Sequence, residues 1–461
     1  MTNPTGVENI QKLSKVERLV FIVLIIIFSL YSFNIAINLG DHIIPDEPSH
    51  FLFSKHFATT YSIPADTPET YSRGWYIAHN PFLYYWISAR VINLAELFQP
   101  TINDASLLRI LRLLSSLYSI GTLIFLNKLS CLIIPKKGWR LLPVFLLSNT
   151  LMFVFLSGGV NYDNLANLFA IAGVYYLIRV FSDYDYLKNS LLSMIFICLG
   201  CLVKFTILPL ALSMILAWFL FTIIKRKIVF PINAWDTKSY ILMFILSILV
   251  LANLLIYGHN LVVFGSITAR CSDILSESQC ILDPYYQRAQ EYGPEGPMSL
   301  LEAVEQGYPH PVSYFFDYWI KDMFVKIHGI AGHNVYIPAH IIPFYQLFYL
   351  SVLCFAFLNW KDISFSRGSL IFFVIFYSAV VFITNYKSEL AHTFHHFAIQ
   401  GRYLFPIIGL VYILVGYTLS LFSNKVLRYA TLIATIILFF AGGPFKFIKL
   451  CTTTFSDWFV H

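Results

Sequence analysis

The sequence predicts an all-α polytopic membrane protein with about eleven transmembrane helices. Three observations predict it. Of the 461 residues, 57% are hydrophobic and only 12% charged, far below the charge content of a soluble domain. Many apolar runs reach the roughly 18–20 residues that cross a bilayer core. Basic residues collect in alternate short loops, as they do in chains that thread a membrane repeatedly. The net charge of +6 is modest and spread over those loops, so no nucleic-acid partner is expected.

The first run, Leu19 to Leu39, is too long for a signal peptide and lacks a small-residue cleavage site. Further spans are read at 106–134, 141–158, 164–181, 188–203, 206–224, 239–258, 340–358, 368–385, 403–422 and 426–443. Only Lys204 and Phe205 separate two of them, which predicts a tight turn at Lys204. The basic groups are Lys12, Lys15 and Arg18, then Lys136, Lys137 and Arg140, then Lys225, Arg226 and Lys227, then Lys361 with Arg367, then Lys425 with Arg428. The positive-inside rule puts them and the N-terminus in the cytoplasm. An odd number of spans leaves the tail after 443 outside. Spans and loops account for nearly every residue, so one integrated domain over 1–461 is expected.

Two outer loops are long, 40–105 and 259–339, the second between spans seven and eight. In the first, "PSHFLFSKHFAT" and "NPFLYYWISARVINLAELF" are expected as helices lying in the interface plane. The second is rich in Gly, Pro, Tyr and acids and is expected to form short helices. It holds Cys271 and Cys280, a disulfide candidate if the loop is extracytoplasmic. Cys198 and Cys201 have a redox-like spacing but lie inside a span, where thiols behave as small core residues. The absence of an internal repeat counts against a pseudo-symmetric transporter.

Ionisable groups recur at the outer edge: Asp46, Glu47 and His50 in the first loop, His79 before "NPFLYYW", Arg109 and Arg112 at the second span, Asp163 in "GGVNYDNLAN", Lys204, and Arg402 with Tyr403 in "IQGRYLFP". Charges at membrane depth are costly and tend to be functional. A bundle can converge these on one cavity. There a carboxylate can act as general base on an acceptor hydroxyl, and basic groups can hold a phosphate. Such a set suits transfer from a lipid-linked phosphate donor. Plainer readings stand beside this one. Asp163 fits a helix N-cap, Lys204, Arg112 and Arg402 fit snorkelling to headgroups, and His50 fits packing on the face it shares with Asp46. A flippase for a lipid-linked saccharide would use the same phosphate-binding groups without bond cleavage.

"IIPDEPSHF" resembles the first outer loop of the GT-C glycosyltransferases, integral membrane enzymes that use polyprenyl-phosphate sugars, and "PDEPxHF" is similar to an uncharacterised bacterial branch. "HNPFLYYW", "RILRLLSSLYSIGTL", "NYDNLAN" and "QGRYLFP" resemble further elements of that superfamily in order. The likeness covers about the first two hundred residues and one late segment, and is silent over most of 225–385. It implies Asp46 as base, Glu47 as its orienting partner or an acceptor contact, Asp163 as second carboxylate, and Lys204 and Arg402 as lipid-phosphate contacts. It implies a polyprenyl-phosphate-linked donor, a glycan or lipid acceptor, an inverting outcome and a bacterial inner-membrane location. "HNP" stands where the superfamily has "HPP", which sets His79 apart. Without the soluble C-terminal domain of some relatives, acceptor recognition falls to the loops.

No cofactor is assigned, and a divalent metal stays open. His392, His395 and His396 cluster in "AHTFHHF", and His328, His333 and His340 lie near the second loop. No HExxH glutamate accompanies them, and interfacial histidines are the favoured reading.

Overall fold

The computed structural model describes residues 13–182, 184–225, 235–293, 299–331, 336–337, 341–360, 363–395, 399–453 and 458–459. Among these, ten helices are long and apolar enough to cross a membrane. A bent pair, Trp139–Ser148 and Leu151–Ser157 at 65°, makes an eleventh. The expected spans are therefore present. The bend falls at Asn149 and Thr150, where side chains take up freed backbone and neighbouring polar groups. Asn149 Nδ2 donates to the Phe145 carbonyl at 2.9 Å, and Thr150 Oγ1 meets the Tyr412 hydroxyl at 2.6 Å. A break inside a membrane is tolerated when such groups find partners within the protein.

Burial sorts the spans. Asp163–Phe181 and Gly401–Ser420 have 72% and 78% of their apolar windows buried, whereas Thr237–Phe264 has 6%. The first two form the centre of the bundle, with Asp104–Ile133 and Tyr186–Val203 around them. Thr237–Phe264 presents its apolar sides outward, as a lipid-facing helix must. This span runs past the expected end at 258, because the helix continues through a wide turn at Leu254–Gly258 into His259–Phe264. The second outer loop therefore starts at Gly265.

The two ends of the bundle differ. Glu17, in the capping box of the first span, accepts from the Gly138 amide at 2.7 Å, and Lys136 donates to the Ser420 carbonyl. One end thus gathers the basic turns at 15–18, 136–140 and 420–428. The opposite end carries the long loops. There Glu47–Ala58 and Leu83–Phe98 pack on each other. Arg90 and Asn93 of the second helix donate to the Phe57 and Ala58 carbonyls at 2.9 and 2.8 Å, closing the exposed end of the first. Leu83–Phe98 buries Tyr84, Tyr85, Ser88, Ala89 and Ile92 on one stripe and leaves Leu94, Leu97 and Phe98 exposed.

The second loop folds into short helices, including Cys271–Ile274, Glu277–Cys280, Pro284–Tyr292 and Leu300–Glu305, followed by a longer helical stretch to His328. Cys271 and Cys280 are joined by a disulfide. The departure from all-α structure among the described residues is small: Ile330–Ala331 pairs antiparallel with Tyr336–Ile337. Gly40 at the end of the first span donates to the Trp458 carbonyl at 2.6 Å, so the tail meets the loop end of the bundle.

Candidate active site

The first span ends at Asn38, and the chain turns through "GDHIIPDEPSHF" into Glu47–Ala58. Asp46 occupies the N-cap position but does not cap. Its backbone is left-handed, φ 62°, a conformation that costs a non-glycine residue free energy and recurs at functional sites. The carboxylate leaves the helix amides unserved and forms an ion pair with Arg402 instead. It is one-third exposed, at 33%, and lines a cavity of about 420 Å³.

Asp163 sits in the first turn of Tyr162–Phe181, behind a tight crossing. A Cβ on Gly158 would meet Ile35 at 2.5 Å, and one on Gly159 would meet Ile44 at 2.5 Å. Only glycines let this turn press on the first span at Ile35 and on the following loop at Ile44. Asn161 supplies the cap, accepting from the Asp163 amide at 2.8 Å, so the Asp163 carboxylate is released from capping. It forms a buried ion pair with Lys204. Its other oxygen lies 4.0 Å from Arg402 Nε.

Lys204 is the extended residue between Tyr186–Val203 and the next span, the turn expected from the sequence. Its ammonium lies 4.4 Å from the Tyr162 ring centroid and 5.2 Å from that of Tyr403. Arg402 lies in the short helix Gly401–Leu404. A Cβ on Gly401 would stand 2.5 Å from the Lys326 carbonyl carbon, so glycine permits the close approach that aims Arg402 inward. Lys326 donates to the Ile399 carbonyl at 2.6 Å and Tyr377 to the Tyr403 carbonyl at 2.8 Å, fixing both sides of that turn. The result is a row of alternating charge, Asp46, Arg402, Asp163, Lys204, of which the last three are buried.

His50 follows one helical turn after Asp46 and lines the same cavity. Its Nδ1 is 2.9 Å from the Tyr85 hydroxyl, and its ring stands edge-on to Tyr162 at 4.4 Å. Burial lowers its pKa to about 4, against the opposing pull of Asp46, so the imidazole is neutral. Three buried polar atoms here have no hydrogen-bond partner among the described residues: His50 Nε2, Arg402 Nε and Asp163 Oδ2. Buried polar atoms are rarely left unpaired, and such a group of three suits a polar ligand.

The expected set does not converge as a whole. Asp46, His50, Lys204, Arg402 and Tyr403 line the cavity, and Asp163 lies directly behind Lys204 and Arg402. Glu47 and Arg112 do not. They form a two-armed ion pair, Nε to Oε1 at 2.9 Å and Nη2 to Oε2 at 2.5 Å, each side chain 1% exposed. Arg112 also donates to the Leu39 and Gly40 carbonyls at 2.5 and 3.0 Å, and Glu47 accepts the Val160 amide at 2.9 Å. The structure thus does not bring Glu47, expected in a catalytic or acceptor-binding role, or Arg112, expected as a ligand, to the cavity. Their polar atoms are consumed in pinning the first span, the second span and the 158–161 turn together. His79, expected as a substrate contact, is likewise not among the residues that line the cavity. It lies against His259 and Phe264, with Nδ1 3.1 Å from Asn260 Oδ1, and docks its loop on the seventh span. Its neighbours Asn80 and Pro81 reach the cavity.

Sequence reasoning passed over several cavity residues, among them Tyr85, Tyr162, Tyr285 and Arg288. The first two sit inside quoted motifs, and Tyr162 adjoins Asp163. Tyr285 and Arg288 carry no local signal.

Metal ligation fits this site poorly. Arg402 stands between Asp46 and Asp163, so a guanidinium holds the position from which both carboxylates could grip an ion. Among the described residues no group of three His, Cys, Asp or Glu side chains is gathered as ligands. His333, His340 and His396 lie outside the described residues.

No protein-family model and no curated protein sequence matches the chain. Solved structures do. The archaeal oligosaccharyltransferase AglB from Archaeoglobus fulgidus, in complex with an inhibitory peptide and a dolichol-phosphate, is 14% identical, with a TM-score of 0.51 over 93% of this chain and 56% of that one. ArnT from Cupriavidus metallidurans bound to undecaprenyl phosphate is 10% identical, with a TM-score of 0.46 over 90% of this chain and 62% of that one. At this identity the likeness is one of fold: the described helices share the arrangement of the AglB membrane helices. The chain spans only 62% of the ArnT chain and 56% of the AglB chain.

Proposed function

We propose that this chain is a glycosyltransferase of a bacterial plasma membrane. In this reading it moves a sugar from a polyprenyl-phosphate donor to an acceptor hydroxyl at the extracytoplasmic face, in the synthesis or modification of a surface glycan. The observation that carries the reading is the row Asp46, Arg402, Asp163, Lys204 at one cavity. The fold shared with AglB supports it, and so does the placing of basic turns at the opposite end of the bundle, which the positive-inside rule puts in the cytoplasm. The exposed Leu94, Leu97 and Phe98 suit contact of the loop helices with the membrane surface.

The chemistry follows from the charges. A donor phosphate competes with Asp46 for the Arg402 guanidinium, which can grip phosphate with two parallel N–H bonds. Asp163, too buried to reach the acceptor, keeps Arg402 and Lys204 in place rather than reacting. Released from Arg402, Asp46 takes the proton of the acceptor hydroxyl as its oxygen bonds to the anomeric carbon. The bond from that carbon to the phosphate oxygen breaks, and its electron pair stays on the lipid phosphate. Arg402 and Lys204 offset the charge that develops there. A single displacement of this kind inverts the anomeric carbon. His50, neutral, is in place to orient a hydroxyl through Nε2.

The test uses purified protein in liposomes with a polyprenyl-phosphate sugar and an extract of surface glycans. Stoichiometric release of polyprenyl phosphate with labelled glycan is the expected result. Movement of labelled lipid across the bilayer with no released polyprenyl phosphate would instead establish the flippase reading.

A further inference from the structure

The helix Pro284–Tyr292 lies in the part of the chain where no motif was legible, yet it reaches the catalytic cavity through Pro284, Tyr285 and Arg288. Two anchors hold it. Asp283 accepts the Tyr286 amide at 2.7 Å as N-cap, and its second oxygen accepts the Tyr76 hydroxyl of the first loop. The disulfide Cys271–Cys280 closes the preceding segment, and Tyr76 packs with both cysteines in one small core. The first loop is shaped to receive this helix. Gly74 has φ 70°, and a Cβ there would stand 3.0 Å from the Tyr285 ring.

Tyr285 and Arg288, three residues apart, share one face of this helix, and both line the cavity. Tyr285 keeps 65% of its surface exposed although its neighbour Asp283 is buried. An aromatic ring offered to a cavity that handles sugars is a stacking platform. The polarised C–H bonds of a pyranose face are drawn to the negative face of the ring. Arg288 adds a cation, and Arg73 lines the same cavity from the first loop. Arg402 and Lys204 already suffice for one lipid phosphate. Arg73 is held by Glu69 at 3.2 Å and lies over the Trp75 ring, so a second anion in this cavity would meet Arg288, on the face it shares with Tyr285.

We propose that Tyr285 and Arg288 form the acceptor subsite, in which Tyr285 stacks on a pyranose ring and Arg288 binds an anionic group, a carboxylate or a phosphate, carried by that acceptor. This rests on the glycosyltransferase reading and names its acceptor class. The disulfide and the Asp283–Tyr76 bond are then positioning devices for the subsite.

Binding tests it without turnover. Saturation-transfer NMR on the intact protein in nanodiscs compares methyl glucoside, methyl glucuronide and methyl glucoside 6-phosphate. Signal from the two anionic glycosides, bound about ten-fold more tightly than the neutral one, is expected, since one charge-assisted hydrogen bond is worth about that factor. Arg288→Gln should abolish the preference and Arg288→Lys restore part of it. Tyr285→Leu should remove the ring signal. Reduction of the disulfide in the unmodified protein should weaken binding, a check independent of any substitution. Carboxylate and phosphate forms separate the two sources of the anion. Equal binding of all three glycosides, no signal from any, or an unchanged preference in Arg288→Gln overturns the subsite. Failure of the glycosyltransferase reading would show separately, as absence of polyprenyl phosphate release in an otherwise binding-competent protein.

Discussion

Glu47 stands next to the proposed base, yet its carboxylate points into the protein. Glu47→Gln removes the charge that Arg112 is buried against while keeping the size of the side chain. Breaking a buried ion pair from one side costs about 3–5 kcal/mol, because it strands the other charge. Asp41, 4.0 Å from Arg112 and largely exposed, softens the loss, so the lower end, about 3 kcal/mol, is expected. Unfolding entropy of about 2 cal/mol/K per residue over 461 residues makes this a fall of about 3 °C in Tm. The assay is thermal unfolding in detergent, followed by tryptophan fluorescence, beside turnover of the protein that stays folded. A double variant, Glu47→Met with Arg112→Met, should recover at least half of the loss, because apolar partners of similar volume replace a buried pair well. Turnover per folded molecule should stay within about three-fold, well short of the 10²–10⁴-fold that loss of a general base costs. An unchanged melt with turnover lost would put Glu47 at the chemistry and refute the assignment.

Three further outcomes are expected. Arg402→Lys keeps the charge but not the planar fork that can hold a phosphate through two parallel N–H bonds, so donor KM should rise at least ten-fold in steady-state transfer assays. Gly401→Ala must push the turn away from the Lys326 backbone, which should lower stability by about 1–3 kcal/mol and reduce activity with it, read by melting and turnover together. His50 gives a pH signature. Its folded pKa of about 4 lies below the ordinary 6.5, so the unfolded chain binds the extra proton in that window. Stability is then full above pH 6.5 and falls on acidification toward pH 4, by on the order of 3 kcal/mol. His50→Gln should flatten that part of the curve of melting temperature against pH, and an unaltered slope would show that other groups set it.

Much of the architecture was legible because lipid imposes it. Spans declare themselves by length, and basic turns by their alternation. Asp46, Asp163, Lys204 and Arg402 were legible as costly charges at membrane depth, in motifs with a known order. Direction was not. Nothing local distinguishes Asp46, whose left-handed backbone turns its carboxylate to the cavity, from Glu47, whose carboxylate turns to Arg112. His79 looked like a cavity residue because its neighbours are cavity residues. Tyr285 and Arg288 reach the site through a disulfide, a capping aspartate and a tyrosine about two hundred positions away, long-range contacts without a local pattern.

The central claim is that Asp46 takes the acceptor proton while Arg402 moves to the donor phosphate. The most direct measurement is single-turnover release of polyprenyl phosphate by Asp46→Asn in protein whose melt matches the unmodified chain. The account predicts a fall of about 10²–10⁴-fold with donor affinity retained or raised, because Arg402 loses its competing carboxylate. A release rate within ten-fold of the unmodified protein would contradict it.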